Sequence, residues 1–306
     1  MDPLIEGAPS MGSRFGLRVA GAETNYGIGL TRLGVGVRWV SKIGDDPFGH
    51  IIADALGGEG LDLGYLQREP NAPTGLFFKW RSAGRSHVVY YRRGSAASRL
   101  SPEDVPEDAF DGIAHVHLTG ITMAISESAG RLVVDLARRA SERSIPVSFD
   151  PNFRPALWES PLAAFNAHAR VLPYVDWYLC GLEEGHLLFR TDSEQRLVDA
   201  IEDAGARNVA VRVGERGVIV REGEHLVTAP PLKLESVLDE VGAGDGFAAG
   251  FTYGLLRGWA LRRCARAGNL IAAAALRGTG DWETLPYLEE VRSDLQAIAT
   301  TDGRSQ

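Results

Sequence analysis

From residue 114 onward the chain alternates short apolar runs with stretches of helical periodicity, and that rhythm constrains the fold more than any other feature. AHVHLTGI (114–121), IPVSFD (145–150), VDWYLC (175–180) and NVAVRVG (208–214) each read as a buried strand. Helix-compatible sequence separates them, as near 127–143, where Leu132, Val133, Leu136 and Ala137 share one face. Strands recurring at this spacing predict an α/β fold: a doubly wound, mostly parallel sheet flanked by helices, with right-handed crossovers.

The N-terminal third has a different pattern. TGLFFKWRSAGRSHVVYYRRG (74–94) places two β-rich arms around a glycine turn, which predicts a hairpin, and FGLRVAGAE (15–23) predicts a further strand. Over 46–58, Asp46 reads as an N-cap, Pro47 as the first helical residue and Gly57 as the position just past the end. Phe48, Ile51, Ile52, Ala55 and Leu56 would form the buried stripe of that helix. The reading is one α/β domain over 1–306 with a small β-sheet lid in its N-terminal half, its strands near 13–23 and 74–98.

Of the 306 residues, 44% are hydrophobic, enough for a large core. The formal net charge is -8 and no dense Lys/Arg block occurs, which argues against a nucleic-acid partner. Cys180 and Cys264 stand alone and read as buried thiols in a reducing compartment. The N-terminus has no signal-peptide pattern, and the most apolar stretch, LIAAAAL (270–276), is far too short to cross a bilayer. A cytoplasmic protein with no membrane partner is expected. His115 and His117 alternate on one strand face without a third ligand, which argues against a metal site there.

DEVGAGDGFAAGF (239–251) carries the chemistry. The residues after Gly244 have the pattern of a helix ending near Gly258, so Gly-Ala-Gly falls at its N-terminus. Unpaired N–H groups and the helix dipole favour an anion there. The glycines alone are weak evidence, because a plain helix-start turn also accounts for them. Asp245 adds a carboxylate within reach of the anion hole, where it can take a hydroxyl proton while the amides hold charge on a transferred phosphoryl group.

This stretch closely resembles the C-terminal signature of the ribokinase-like (PfkB) carbohydrate kinases, Asp-x-x-Gly-Ala-Gly-Asp. GAETNYGIGLTRLG (21–34), IGDDPFGH (43–50) and VRVGERGVIV (211–220) match further family features in order, so the resemblance covers nearly the whole chain. It implies an ATP- and Mg²⁺-dependent kinase in which Asp245 is the base and Gly242, Ala243 and Gly244 form the anion hole. It also implies that Asp239 lies near the nucleotide phosphates and Mg²⁺, that Gly214 and Gly217 join the nucleotide site, and that Asn269 lies near the base. Glu184 would place the metal through water.

Within that family VVYYRRGSAASRLSPED (88–104), DPNFRPALW (150–158) and GAETN (21–25) look like the 2-keto-3-deoxygluconate kinases. Physically, the arginines are informative: a sugar acid presents a planar carboxylate that guanidinium forks match, whereas a neutral sugar has no need of them. The resemblance assigns Gly21, Ala22 and Asn25 to sugar hydroxyls, and Phe77, Tyr90, Arg92 and Arg154 to the acid end and ring wall. Tyr91 points to the opposite face of its strand, towards core or an interface, and the outer lid face is expected to make a homo-oligomer. The alternatives are a kinase for another sugar such as fructose or ribose, or a catalytically silent sugar-acid-binding protein.

Two departures from the family stand out. Its Asn-x-x-Glu motif reads Gly181-Leu182-Glu183-Glu184 here. Its usual opening strand, ending in Gly-Asp or Gly-Glu, has no counterpart ahead of the lid, which predicts a sheet with one strand fewer and unpaired backbone.

Overall fold

The computed structural model describes residues 7–82, 85–234, 241–278 and 280–300. In chain order the elements are α1 (Ala22–Arg32), β1 (Ser41–Gly44), α2 (Pro47–Gly58), β2 (Leu66–Glu69), β3 (Leu76–Ser82) and β4 (Arg85–Tyr91). There follow β5 (Val116–Thr119), α3 (Gly120–Ile125), α4 (Glu127–Glu142), β6 (Val147–Asp150), α5 (Pro161–His168), β7 (Trp177–Gly181), α6 (Leu182–Phe189) and α7 (Glu194–Asp203). The last are β8 (Asn208–Arg212), β9 (Val218–Glu222), β10 (His225–Ala229), α8 (Ala243–Leu256), α9 (Leu261–Ala275) and α10 (Leu288–Thr300).

The main sheet has six strands in the order β10-β9-β8-β7-β6-β5. β5 to β8 run parallel, and the β8–β9 and β9–β10 pairs are antiparallel. The central strands are apolar on both faces because helices cover both. Trp177, Leu179 and Ala210 point into one core with α1, α8, α9 and α10. Their neighbours Tyr178, Cys180, Val209 and Val211 point into the other, against α4 and α7. This alternation, read along two strands, generates the three layers. The doubly wound α/β class expected from the sequence is the one found.

Small residues let α8 and α9 approach closely. A Cβ at Gly250 would stand 2.5 Å from the Ala267 carbonyl oxygen, and one at Gly268 would stand 2.7 Å from the Phe247 ring. Within the alanine-rich run at 270–276, Ile271, Ala273 and Ala275 are buried. Both cysteines are buried free thiols.

The N-terminal half departs from expectation in three places. The 15–23 stretch forms no ladder: it has no helix or strand up to Gly21, and Ala22 and Glu23 already belong to α1. Side chains hold it instead, with Phe15 edge-on to Phe78 at 5.2 Å, Arg18 paired with Glu283 at 2.6 Å, and the Trp282 indole donating to the Val19 carbonyl at 2.8 Å. α2 begins as expected, with the Asp46 carboxylate accepting from the Gly49 amide at 2.8 Å, but it continues through Gly58. Its stripe is narrower than predicted: Leu56 is buried, while Phe48 and Ile51 are exposed because α2 sits at the rim of a cleft.

The hairpin β3–β4 is present, with Phe77 opposite Tyr90. β1 and β2 form a separate parallel pair. β5 is an edge strand, and among the described residues no strand pairs with its outer side. That side and the 35–43 stretch line the same cleft. His115 and His117 both meet the Ser148 hydroxyl, at 2.8 and 2.7 Å, and burial holds their pKa values down near 4 and 3. They are neutral, half-buried histidines of the cleft wall.

Candidate active site

A cleft of about 1690 Å³ opens at the C-terminal ends of β5 to β8, between the main sheet and the lid hairpin. Crevices at this end of an open α/β sheet are where ligands bind. The first turn of α8 forms its floor. Gly242 is the N-cap with φ 79°, a left-handed conformation, and a Cβ there would overlap the Asp281 carbonyl oxygen. Only glycine satisfies both constraints. The amides of Ala243, Gly244 and Asp245 then open the helix without acceptors from a preceding turn.

Asp245, at 9% exposure, is the buried acid of the cleft. Its carboxylate accepts from the Asn25 amide at 2.7 Å and from the Asn152 amide at 3.3 Å. Burial raises its pKa to about 8, Asn25 and Arg154 pull it back, and Asp150 and Asp281 push it further. Asn25 and Asn152 each present a buried side-chain oxygen with no protein partner. Asn152 also has φ 37°, a strained backbone for a residue other than glycine. The Asp150 carboxylate accepts from its amide at 2.8 Å and fixes that turn.

Beside this group, Arg212 at the end of β8 donates to Asp150 at 3.2 Å and faces Glu184 at 3.7 Å. Glu184 accepts from the Gly181 amide at 3.0 Å, and burial raises its pKa to about 7. The lid contributes Phe77 and Tyr90, with ring centroids 6.0 Å apart, and Arg92, whose guanidinium lies 5.9 Å from the Tyr90 ring centre. Burial lowers the pKa of Arg92, and Glu23 acts against that.

Sequence and structure comparisons agree on what this arrangement belongs to. The family model described as pfkB family carbohydrate kinase matches residues 2–287. The chain belongs to the pfkB carbohydrate kinase family. The 2-dehydro-3-deoxygluconokinase of Bacillus subtilis (strain 168) is 34% identical over 290 residues, 94% of this chain and 90% of that one. Among solved structures, the PfkB protein from Polaromonas sp. JS666 is 32% identical, with a TM-score of 0.85 and 94% of each chain covered. The ATP- and Mg²⁺-bound form of an Escherichia coli protein assigned as a ribokinase II has the same fold, at 24% identity and a TM-score of 0.81 over 95% of each chain.

In this pfkB kinase the residues expected to touch sugar, Gly21, Ala22, Asn25, Phe77, Tyr90, Arg92 and Arg154, all line the one cleft with Asp245, Gly242, Gly244 and Glu184. Ala243, Gly214, Gly217 and Asn269 do not line it. Gly217 and Asn269 meet instead at the Ala229–Pro230 backbone: Gly217 lies against it, and the Asn269 amide donates to both carbonyls, at 3.2 and 2.8 Å. Asp239 lies outside the described residues. Tyr91 is 65% exposed, so it is not a core residue.

Three cleft residues had no role assigned from sequence: Asp150, Asn152 and Arg212. The first two stand in DPNFRPALW at a strand end, a legible signal. Arg212 sits in VRVGERG, where strand alternation alone does not reveal that its end reaches the site.

Mg²⁺ takes hard oxygen ligands, keeps several waters and sits on one or two carboxylates plus substrate phosphates. The described residues contain no cluster of three metal-binding side chains, and Asp150 and Glu184 already face Arg212. This donor set fits a metal carried mainly by nucleotide phosphates and reached by Glu184 through water. It does not fit a protein-built cage.

Proposed function

We propose that this protein transfers the γ-phosphoryl group of ATP to the terminal hydroxyl of 2-keto-3-deoxygluconate. One observation carries the reading: a buried carboxylate with a pKa near 8, held by two asparagines, adjoins the open amides of α8 in a cleft that also contains Arg92 and Arg154. The relative from Bacillus subtilis supports the substrate, and the fold neighbour solved with ATP and Mg²⁺ supports the donor.

The substrate hydroxyl approaches Asp245, and the free oxygens of Asn25 and Asn152 orient neighbouring hydroxyls. Asp245 takes the hydroxyl proton as the oxygen bonds to the γ-phosphorus. The bond from that phosphorus to the β,γ-bridging oxygen breaks, and ADP leaves with the bond's electron pair. The amides of Gly242, Ala243 and Gly244 hold the charge on the moving group. Mg²⁺, when bound, neutralises phosphate charge, with Glu184 holding its waters. Gly214, Gly217, Asp239 and Asn269 belong to the nucleotide side. Arg92 and Arg154 grip the substrate carboxylate while Phe77 and Tyr90 wall its chain. The chain works as one kinase domain in the cytoplasm, consistent with its free thiols. It pairs with a second copy through the outer lid face, where Val89 and Tyr91 are exposed.

The test is ADP release against a panel of sugars and sugar acids. 2-Keto-3-deoxygluconate should give the highest kcat/KM, and a higher value for fructose or ribose overturns the reading.

A further inference from the structure

Arg212 is a cleft cation that the mechanism above leaves without a task. It ends β8 between Gly181 on β7, which adds no side chain, and Val218 on β9. Asp150 and Glu184 hold its guanidinium from one side, and the ring of Phe247 lies 5.8 Å from it. Its side chain keeps 21% of its surface exposed, towards the cleft it lines. The decisive contact is with the start of α8. The three atoms nearest a Cβ built on Gly244 all belong to Arg212: Nη2 at 3.4 Å, Cζ at 3.6 Å and Nε at 3.9 Å. A permanent cation therefore flanks the same turn whose amides face the cleft.

Around that turn stand several acids, with Arg154 as a second cation whose charge reaches Asp245 and Glu184. Asp150, Glu184, Asp245 and Asp281 all line this end of the cleft. An incoming polyphosphate would meet their repulsion, and helix amides carry only partial charge. A guanidinium fixed by two carboxylates and an aromatic ring is pre-organised for charge-assisted hydrogen bonds to phosphate oxygens.

The geometry points to Arg212 as a further catalytic residue, contacting the transferred γ-phosphoryl group beside Gly244 and stabilising the charge it carries between donor and acceptor oxygens. This rests on the kinase reading but not on the identity of the sugar. Gly181 makes the assignment more specific: a site without a side chain at that position draws its polar contacts on this flank from the adjacent strand.

The experiment measures ATP and ADP binding by calorimetry without any acceptor, in wild type, Arg212→Gln and Arg212→Lys. A γ-phosphoryl contact predicts that Arg212→Gln weakens ATP binding by about tenfold or more, as for a charge-assisted hydrogen bond, while ADP binding changes little. Arg212→Lys keeps a cation and should retain part of the preference for ATP. In turnover, kcat should fall while the KM for the acceptor stays near the wild-type value. A purely structural Arg212, needed only to neutralise Asp150 and Glu184, would weaken ATP and ADP alike, and that outcome overturns the proposal. So does unchanged ATP affinity. Should Arg212→Gln fail to fold, the ATP-to-ADP ratio of Arg212→Lys decides on the same terms. Because no acceptor is present, a wrong choice of sugar would leave this result standing.

Discussion

Asn25 donates to the Asp245 carboxylate over 2.7 Å although the two residues are 220 positions apart in the chain. Asn25 sits in the first turn of α1 and Asp245 in the first turn of α8, so two helix starts converge on one carboxylate. The bond engages one Asp245 oxygen while the Asn152 amide meets the other at 3.3 Å, and it leaves the Asn25 oxygen for a ligand. It also offsets part of the burial that raises the pKa of Asp245.

If Asp245 is the base, Asp245→Asn should fold and bind nucleotide but turn over about 10²–10⁴-fold more slowly, the usual share of a positioned base. Steady-state kinetics with a melting curve as control would check this. Near-normal turnover in a folded variant would exclude Asp245 from proton transfer.

The pKa of about 8 makes two pH predictions. A base must be deprotonated, so kcat/KM should rise with pH on a limb near 8, and Asn25→Ala should move that limb higher by removing the bond that favours the carboxylate. For stability, the folded chain keeps this proton between pH 3.8, the ordinary value, and about 8, while the unfolded chain has released it. Stability contributed by this site therefore falls as pH rises through that window. Asp245→Asn removes the titration, so its Tm advantage over wild type should be larger at pH 8 than at pH 5. Parallel Tm curves would contradict the assigned burial.

Gly242→Ala tests the turn itself. The left-handed backbone alone should cost roughly 1–3 kcal/mol for a residue with a side chain. The overlap with the Asp281 carbonyl must also be relieved by moving the helix start. Activity should fall more than stability, since the amides of Ala243 and Gly244 shift with it. Gly258→Ala, at φ 66° in open surroundings, is the control: similar strain with no loss of turnover.

What was legible in the sequence followed from local pattern. β6, β7 and β8 announce themselves as apolar runs because both faces are buried, and Asp46-Pro47 announces α2 because capping is local chemistry. The 15–23 segment misled because alternation records only which side chains are covered. Phe15 is covered by Phe78 and Arg18 is tied to Glu283, with no backbone ladder involved. In the site, Asp245 and its glycines were readable as one contiguous motif. Asn152 and Arg212 were not assigned, because their contacts with Asp245 and Gly244 exist only once strands far apart in the chain lie side by side.

The choice of substrate turns on Arg154. It follows the end of β6, is exposed on the cleft wall, and its charge reaches both Asp245 and Glu184. If it grips a substrate carboxylate, the contact is charge-assisted and contributes roughly 1.5–3 kcal/mol. Arg154→Ala should then raise KM for 2-keto-3-deoxygluconate by about one to two orders of magnitude, since 1.4 kcal/mol is tenfold. The carboxylate lies at the end of the substrate remote from the reacting hydroxyl, so most of the loss is uniform binding and kcat should change less. Because Arg154 also lowers the pKa of Asp245, its loss should in addition shift the alkaline-rising limb upward, an effect independent of substrate. The two contributions separate when a neutral analogue lacking the acid group is assayed on both enzymes at a pH well above the limb. There the acid substrate should still lose affinity on Arg154→Ala, and the analogue should not. Equal losses for both substrates would make Arg154 a support for the site and would favour a neutral sugar as the acceptor.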